Sequence, residues 1–336
     1  AYYTESIIAE GSSTITNEDH VVTNQDLIRA MHAASYNKIN EDSELISVVP
    51  TSYKINGEET VKNPLNMIAK KISLKAVLIT APKNNIDSFV NVLERIGIKV
   101  IDIVVSPLSD YAAFRTKNLA GLVGAVINIG ADITTVSIIN KGILTKTEVI
   151  ELGGANITND IAYIYKITKK DANDLKENFG LATTDMASEK EKKYLTDRLG
   201  EEIVINEREL SEVIESRLLE ILELCKKQIN LLTKREISYI IFTGGTTEIR
   251  DFNILLDKVF TKTHILGKID TVGVRNNKYS VALGTIIYYN GRLKLKNKEY
   301  SVFNLDELEI LSGVHKKVSI NENSILGKLF GYFFDS

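Results

Sequence analysis

The feature that most constrains this chain is a set of three glycine-rich turns, each of which follows an apolar, strand-like run. They are Gly130-Ala131-Asp132, Gly153-Gly154 and Gly244-Gly245. A turn built from glycine lets backbone N–H groups approach a phosphate or a sugar without a Cβ in the way. One such turn is weak evidence, but three in order predict a nucleotide-binding cleft.

Each turn also has a purely structural interpretation, which the sequence leaves open. Gly130 can serve a tight β-turn that needs a positive φ. Gly153-Gly154 can be a strand exit before a helix cap, and Gly244-Gly245 can allow close packing of a strand on a helix. In the binding interpretation, the Thr134 and Thr135 hydroxyls hold terminal phosphates, and the free N–H groups of the helix after the second turn attract an anion.

The composition is that of an ordinary globular protein and excludes several classes. Of the 336 residues 44% are hydrophobic and 25% are charged, with a net charge of −3, which argues against a dedicated nucleic-acid binder. A single cysteine, Cys225, cannot form an internal disulfide and indicates a reducing cytoplasm. No apolar run is long enough to span a membrane, and no signal peptide or zinc-type histidine cluster is visible. Because the sequence begins at Ala1 inside an apolar stretch, we expect a fragment whose upstream part is missing.

Local patterns predict an alternation of strands and helices. Thr23 is the expected N-cap of the first helix, and residues 183–206 show no clear periodicity. The predicted helices are 24–39, 84–96, 157–165, 170–179, 207–232, 246–260 and 279–290. The predicted strands are 45–53, 72–80, 99–105, a three-stranded meander over 123–152, and 238–243.

The last thirteen residues differ from everything before them. After a polar stretch that starts at Gly291, seven large apolar residues fall within ten positions: Ile325, Leu326, Leu329, Phe330, Tyr332, Phe333 and Phe334. With a helical period, Ile325, Leu329, Tyr332 and Phe333 share one face, and Leu326 and Phe330 lie beside it. This pattern predicts a helix that lies in the surface of a membrane. The alternative is a helix that docks back onto the body of the protein.

The order of these motifs resembles the actin-like ATPase superfamily, and within it the bacterial cell-division family FtsA. The matching segments are 61–64, 128–135, 153–161, 212–217, 242–245, 272–276 and 282–284, together with the aromatic C-terminal segment. The resemblance implies an α/β, actin-like (ribonuclease H-like) fold in which a 1C module of SHS2 type replaces subdomain 1B.

The resemblance also implies a division of the chain into subdomains. These are a 1C module with flanking 1A residues (1–106), a connecting 1A helix (107–122), subdomain 2A (123–165 and 237–290, including a return helix to 1A) and subdomain 2B (166–236). A linker (291–323) and an amphipathic membrane helix (324–336) follow.

By resemblance, the site binds ATP with Mg²⁺. The residues implied in nucleotide binding are those of the glycine turns and two acidic residues: Gly130, Ala131, Asp132, Thr134, Thr135, Gly153, Gly154, Glu215, Gly244, Gly245 and Glu248. Glu215 is implied to accept hydrogen bonds from the ribose. Asn128 stands where actin-like ATPases have aspartate, and Asp132 adds negative charge beside the phosphates. We therefore expect at most a weak ATPase, and the upstream phosphate loop of the family is not part of this sequence.

The resemblance further implies an adaptor that polymerises and anchors the tubulin-like protein FtsZ to the inner face of the cytoplasmic membrane at the division septum. Arg217 is implied to bind the acidic, apolar tail of FtsZ. Other implied partners are further copies of this chain, other division proteins and an anionic or mixed lipid surface, with no nucleic acid. The alternatives are a phosphotransferase of the sugar-kinase branch and a pilus-assembly relative.

Overall fold

A computed structural model describes residues 4–61, 63–260, 264–271 and 273–295. The expected linker beyond residue 295 and the expected membrane helix at 324–336 lie outside the described residues. The described chain divides into two compact units, one formed by residues 7–104 and 286–295, the other by residues 4–6 and 105–285. No helix among the described residues combines the length and the apolarity that a membrane span requires.

The first unit is built on a four-stranded sheet in the order β1-β4-β2-β3, with the central β2–β4 pair antiparallel. Its elements are β1 (Glu5–Thr14), α1 (Asn24–Ser35), β2 (Ser43–Ile55), β3 (Glu59–Val61), β4 (Lys71–Pro82) and α2 (Lys83–Arg95). The expected strands 45–53 and 72–80 are confirmed as β2 and β4. The expected strand at 99–105 is wrong, because these residues pair with no described strand.

The two helices of this unit are buried to different degrees. Thr23 caps α1 as expected, with its backbone N–H donating to the Asp26 carboxylate at 2.8 Å. Helix α1 buries Ala30 and Ala34 in the core of the unit. Helix α2 buries only Ile86, and Phe89 on it is 76% exposed.

The second unit contains a five-stranded sheet in the order β11-β10-β5-β6-β7. Its elements are α3 (Ser106–Phe114), β5 (Val123–Ile129), β6 (Thr134–Asn140), β7 (Ile143–Ile150), α4 (Gly154–Ile164), α5 (Lys169–Asn178), β8 (Lys192–Thr196), β9 (Glu202–Asn206), α6 (Glu207–Leu232), β10 (Tyr239–Thr243), α7 (Phe252–Val259) and β11 (His264–Leu266). The last helix, α8 (Ser280–Leu295), starts in this unit, and its residues from Ile286 belong to the first unit. Strand β10 runs parallel to β5, whereas β5, β6 and β7 form the expected antiparallel meander. Strands β5, β7 and β10 therefore all end at the same edge of the sheet.

Helix α6 supplies much of the core of this unit. Its predicted apolar stripe is confirmed, since Leu210, Ile214, Leu218 and Ile221 are fully buried. Cys225 lies in the same stripe as a free cysteine, and burial raises the pKa of its thiol to about 12. It is therefore a packing residue and not a reactive thiol.

Two local expectations are corrected here. Residues 183–206, which show no periodicity, contain a short 3₁₀ helix (Thr184–Met186) and the hairpin β8–β9. The helix expected over 246–260 is broken in two: a 3₁₀ turn spans Gly245–Glu248, and α7 starts only at Phe252. The break lies at Asp251, whose φ of 61° is left-handed and cannot continue an α-helix.

Candidate functional site

The three glycine turns meet at one backbone carbonyl, that of Gly130. Its oxygen accepts a hydrogen bond from the N–H of Gly154 at 2.9 Å and a second from Thr246 Oγ1 at 2.8 Å. The turns that follow β5, β7 and β10 are thus joined directly at the carboxyl edge of the sheet. Ligands of open α/β sheets bind at such an edge.

Close contacts require glycine in the second and third turns. A Cβ on Gly153 would stand 2.4 Å from the Ala131 carbonyl oxygen, and one on Gly154 would stand 2.5 Å from Thr246 Oγ1. Gly244 has a φ of +99°, and its Cβ would stand 2.4 Å from the Ile129 carbonyl oxygen. These glycines therefore let the turns touch one another, so the structural interpretation applies to them as well.

The N–H groups of the second turn are not free, which corrects one expectation. Gly153 donates to Asn156 Oδ1 at 2.9 Å, Gly154 to Gly130 and Ala155 to the Ala131 carbonyl at 2.7 Å. The first backbone amides of α4 are consequently hydrogen-bonded to neighbouring protein atoms and are not free to bind an anion.

Open donors lie in the other two turns. Within the described residues, the backbone N–H groups of Ala131, Asp132, Gly245 and Thr246 donate to no protein acceptor. Ala131, Asp132 and Gly245 are exposed. The donors that remain for a ligand thus belong to the first and third turns.

The hydroxyl groups expected to hold phosphates lie deeper than the turns. Thr134 is fully buried, and its Oγ1 donates to the Leu152 carbonyl at 2.8 Å; Thr135 is also buried. Glu248 accepts the backbone N–H of Asn277 at 2.7 Å and thereby holds the segment that leads into α8. Thr134 and Glu248 thus hold neighbouring segments through these hydrogen bonds, and Thr135 is buried beside Thr134.

Two lysines that the sequence did not single out flank the turns. Lys176 on α5 is buried, and its Nζ donates to Thr158 Oγ1 and Asn173 Oδ1 at 2.8 Å each and to the Gly154 carbonyl at 3.2 Å. Burial lowers the pKa of Lys176. Lys278 lies beside Gly245, with its Cβ 3.4 Å from the position that a Cβ of Gly245 would take. In the sequence, Lys176 is distinguished only by its place on a predicted helix three residues after Asn173, with which it shares a helix face.

Glu215 does not join the glycine turns. Its carboxylate accepts the backbone N–H of Thr184 at 2.7 Å and contacts Lys258 Nζ at 3.0 Å, and no hydrogen bond links it to a turn residue within the described ranges. Burial raises its pKa, but the hydrogen bonds from Thr184 and Lys258 outweigh burial and leave the pKa lowered. The expected ribose contact at Glu215 therefore has no support in this geometry.

Arg217 lies in a groove of about 560 Å³ between α4 and α6. Its guanidinium donates to both oxygens of Asp160, at 2.7 and 3.0 Å, and also pairs with Glu220. Glu209 and Glu212 line the same groove, as do the exposed apolar side chains of Tyr163 and Ile164. The charge of Arg217 is thus already balanced, and the groove as a whole carries excess negative charge.

The described residues contain no group of three or more His, Cys, Asp or Glu side chains that could hold a metal ion.

The fold defines the class of protein. The chain is similar to the crystal structure of MreB5 of Spiroplasma citri bound to ADP, with a TM-score of 0.55 and 18% identity over 65% of this chain and 69% of that one. It is also similar to the PilM–PilN type IV pilus biogenesis complex, with a TM-score of 0.51 and 14% identity over 83% of this chain and 75% of that one. The expected actin-like fold is confirmed.

The family follows from sequence comparison. A model of cell division protein FtsA matches residues 125–284, and a model of the SHS2 domain inserted in FtsA matches residues 2–80. The FtsA of Bacillus subtilis is 27% identical over 82% of this chain and 63% of its own length, and that of Escherichia coli K12 is 26% identical over 83% and 69%. The chain belongs to the FtsA family, as its motifs predict.

The chain spans only about three fifths of the length of two of its FtsA relatives: 63% of the protein from Bacillus subtilis and 60% of the one from Streptococcus pneumoniae. The activity and partners of the whole protein are therefore matters of proposal.

Proposed function

We propose that this chain is the larger part of an actin-like adaptor of bacterial cell division that binds ATP, polymerises and links FtsZ to the cytoplasmic membrane. The observation that carries the nucleotide part is the junction of three glycine turns at the Gly130 carbonyl. Family membership supports the division role, and the ADP named for the related MreB5 structure supports the choice of ligand.

The fit of ATP can be argued from the groups that the turns leave open. The exposed N–H groups of the first and third turns are donors for phosphate oxygens. The side chain of Lys278 starts beside Gly245, and its ammonium lies 4.9 Å from the centre of the Tyr279 ring. With no cluster of metal-ligating side chains among the described residues, Mg²⁺ would bind mainly through the phosphates themselves. The uncharged Asn128 favours slow hydrolysis or none.

The best test places a bulky side chain on the protein surface that would bind the nucleotide, at a position where it does not disturb the fold. A Cβ on Gly245 would have one neighbour within 4 Å among the described residues, Lys278 Cβ at 3.4 Å, which is an ordinary contact distance, and the φ of Gly245 is not left-handed. We expect Gly245→Leu to weaken binding of a fluorescent ATP analogue at least tenfold, a change of about 1.4 kcal/mol. Gly121→Leu is the control, since nothing lies within 4 Å of its Cβ position. Equal affinity of both variants and the wild type would contradict the proposal.

For FtsZ, we propose the groove between α4 and α6 as the site that receives the tail. Because Arg217 is held by Asp160 and Glu220, an acidic residue of the tail would have to displace these carboxylates. The groove better complements a segment with a lysine or arginine next to apolar side chains, which would lie on Tyr163 and Ile164.

The alternatives receive less support. The pilus-assembly protein PilM shares the fold, so the fold alone does not separate it from FtsA, but both family models that match this chain are those of FtsA. The sugar-kinase alternative requires a carboxylate base over a substrate hydroxyl. Asp110, the buried carboxyl near the turns, is only 1% exposed and thus cannot reach a substrate.

A further inference from the structure

A buried carboxyl group that the proposed nucleotide contacts do not use lies directly behind the glycine turns. Asp110 on α3 is 1% exposed. No lysine, arginine or histidine forms an ion pair with it within the described residues. Carboxylates are almost never fully buried unless they are paired, so this position requires an explanation.

Asp110 links three elements through two hydrogen bonds. Its Oδ2 accepts from Asn128 Nδ2 on β5 at 2.8 Å, and its Oδ1 accepts from Ser280 Oγ at the start of α8 at 2.7 Å. Both partners act as donors here, and an ionised carboxylate, which only accepts, suits both. Burial raises the pKa of Asp110 to about 6, while the bonds from Ser280 and Asn128 oppose that rise.

The far end of the Asn128 amide faces the third glycine turn. Asn128 Oδ1 lies 2.5 Å from the position that a Cβ of Gly244 would take, and Asn128 is paired in register with Thr243, the residue before that turn. Since the carboxylate of Asp110 can only accept, it fixes the NH₂ group of Asn128 toward itself. The carbonyl oxygen of the amide is thereby directed to the Gly244 turn.

We propose that Asp110 is a positioning residue of the nucleotide site, which fixes the Asn128 amide against the Gly244 turn and places a buried negative charge behind the phosphates. This rests on the proposed function at the glycine turns. The protonated carboxyl still offers an acceptor oxygen to Asn128, so protonation keeps the amide in place and removes only the negative charge that opposes the phosphate groups. Nucleotide affinity therefore falls as pH rises through the titration of Asp110.

Among the residues that the structure describes, few other titratable groups lie near the cluster. On α3 itself Tyr111 lies one residue away, and β10 contributes Tyr239; burial raises the pKa of both, so they stay neutral. Strand β7 contributes only Lys146 and Glu148, which are exposed, whereas β5 and the first turn of α8 carry no charged residue.

The test compares pH profiles of binding for one probe, an N-methylanthraniloyl derivative of ATP, between pH 5 and pH 8. Because every variant meets the same probe, the titration of the nucleotide itself cancels in the comparison. We expect the wild type to lose about fivefold more affinity over this range than Asp110→Asn, the lower end of typical coupling between sites.

A second variant reports on the hydrogen-bond network. Ser280→Ala removes one donor to the carboxylate, which disfavours the ionised form, so the midpoint of the pH dependence should move to higher pH. Ser109→Ala is the matched control: it removes the 2.8 Å bond between Ser109 and Thr285 on the same helix pair without touching Asp110, and it should keep the wild-type profile.

The outcomes separate the two proposals. If the wild type binds the probe and Asp110→Asn shows the same pH profile, the positioning role is wrong while nucleotide binding stands. If the wild type shows no saturable binding at any pH, the proposed nucleotide function fails and the role of Asp110 fails with it. Should Asp110→Asn not fold, an unmoved midpoint in Ser280→Ala overturns the inference.

Discussion

At the scale of single residues, the structure shows that the chemical type of a residue does not by itself determine its role. Glu215 has the chemistry to accept a ribose hydroxyl, yet its carboxylate is bound by Thr184 and Lys258. Lys176 lies in a segment that suggests only a surface helix, yet its ammonium contacts the Gly154 carbonyl. Sequence identifies which groups are available, but tertiary packing determines which of them meet.

The buried carboxyl of Asp110 also predicts a pH dependence of stability. Its pKa is raised from 3.8 to about 6 in the folded protein, so the folded state binds the proton more tightly than the unfolded state. That contribution is fully present below pH 3.8 and is lost as pH rises through about 6. It amounts to about 3 kcal/mol, at 1.36 kcal/mol per pKa unit.

We therefore expect the free energy of unfolding of the wild type, relative to Asp110→Asn, to fall by about 2.4 kcal/mol between pH 4 and pH 7, since the unfolded carboxyl is already partly ionised at pH 4. Urea unfolding followed by circular dichroism measures it. The matched control is Asp270→Asn, at an exposed site, which should keep the pH dependence of the wild type. Parallel curves for the wild type and Asp110→Asn would show that the carboxyl titrates alike in both states.

At the scale of secondary-structure elements, the sequence predicted the helices and strands whose apolar residues repeat with a clear period. The stripe on α6 and the meander β5–β7 were predictable, because apolar periodicity reports which face is buried. The hairpin β8–β9 was missed because it is mostly exposed and lacks a clear alternation. Residues 99–105 were wrongly taken as a strand, because an apolar run does not reveal whether a partner strand is available for hydrogen bonding.

The candidate site shows the same limit. Sequence order placed Gly130, Gly153 and Gly244 at the ends of strands, and the topology accounts for their meeting at one edge. The sequence could not show that the N–H groups of the second turn are already hydrogen-bonded within the protein, since the bonds to Gly130, Ala131 and Asn156 depend on tertiary distances.

The groove between α4 and α6 gives a prediction at this scale. Reversing its charge with Glu212→Lys and Glu220→Lys should weaken binding of an FtsZ tail peptide that contains a basic residue, by tenfold or more at low salt and by less at high salt. Fluorescence anisotropy of the labelled peptide measures the affinity.

The control for charge reversal is Glu223→Lys, an exposed position on the same helix that does not line the groove. It should leave the affinity close to that of the wild type. Tighter binding of the peptide by the doubly reversed variant would show that the tail presents acidic residues instead, in line with the role first expected of Arg217.

At the scale of the whole molecule, the segment that we propose as the membrane anchor, 324–336, lies outside the described residues. No described helix could span a bilayer, and the net charge of −3 gives the chain no overall attraction to anionic lipid. The segment 324–336 carries one lysine, Lys328, among its large apolar side chains. Binding through it should therefore depend on burial of apolar area, at roughly 1.5–3 kcal/mol for each large side chain that is buried.

This argument predicts how lipid binding responds to sequence and to salt. In co-sedimentation with vesicles of phosphatidylcholine and phosphatidylglycerol, the chain should pellet, and removal of residues 324–336 or the pair Leu329→Glu and Phe330→Glu should abolish pelleting. The pair Val302→Glu and Phe303→Glu, which adds the same charge to the preceding polar stretch, is the matched control and should pellet like the wild type.

Raising the salt concentration should change the pelleted fraction little, because salt screens the attraction between exposed charges but does not weaken the burial of apolar side chains. Equal pelleting of the intact and shortened chains would exclude this segment as the anchor.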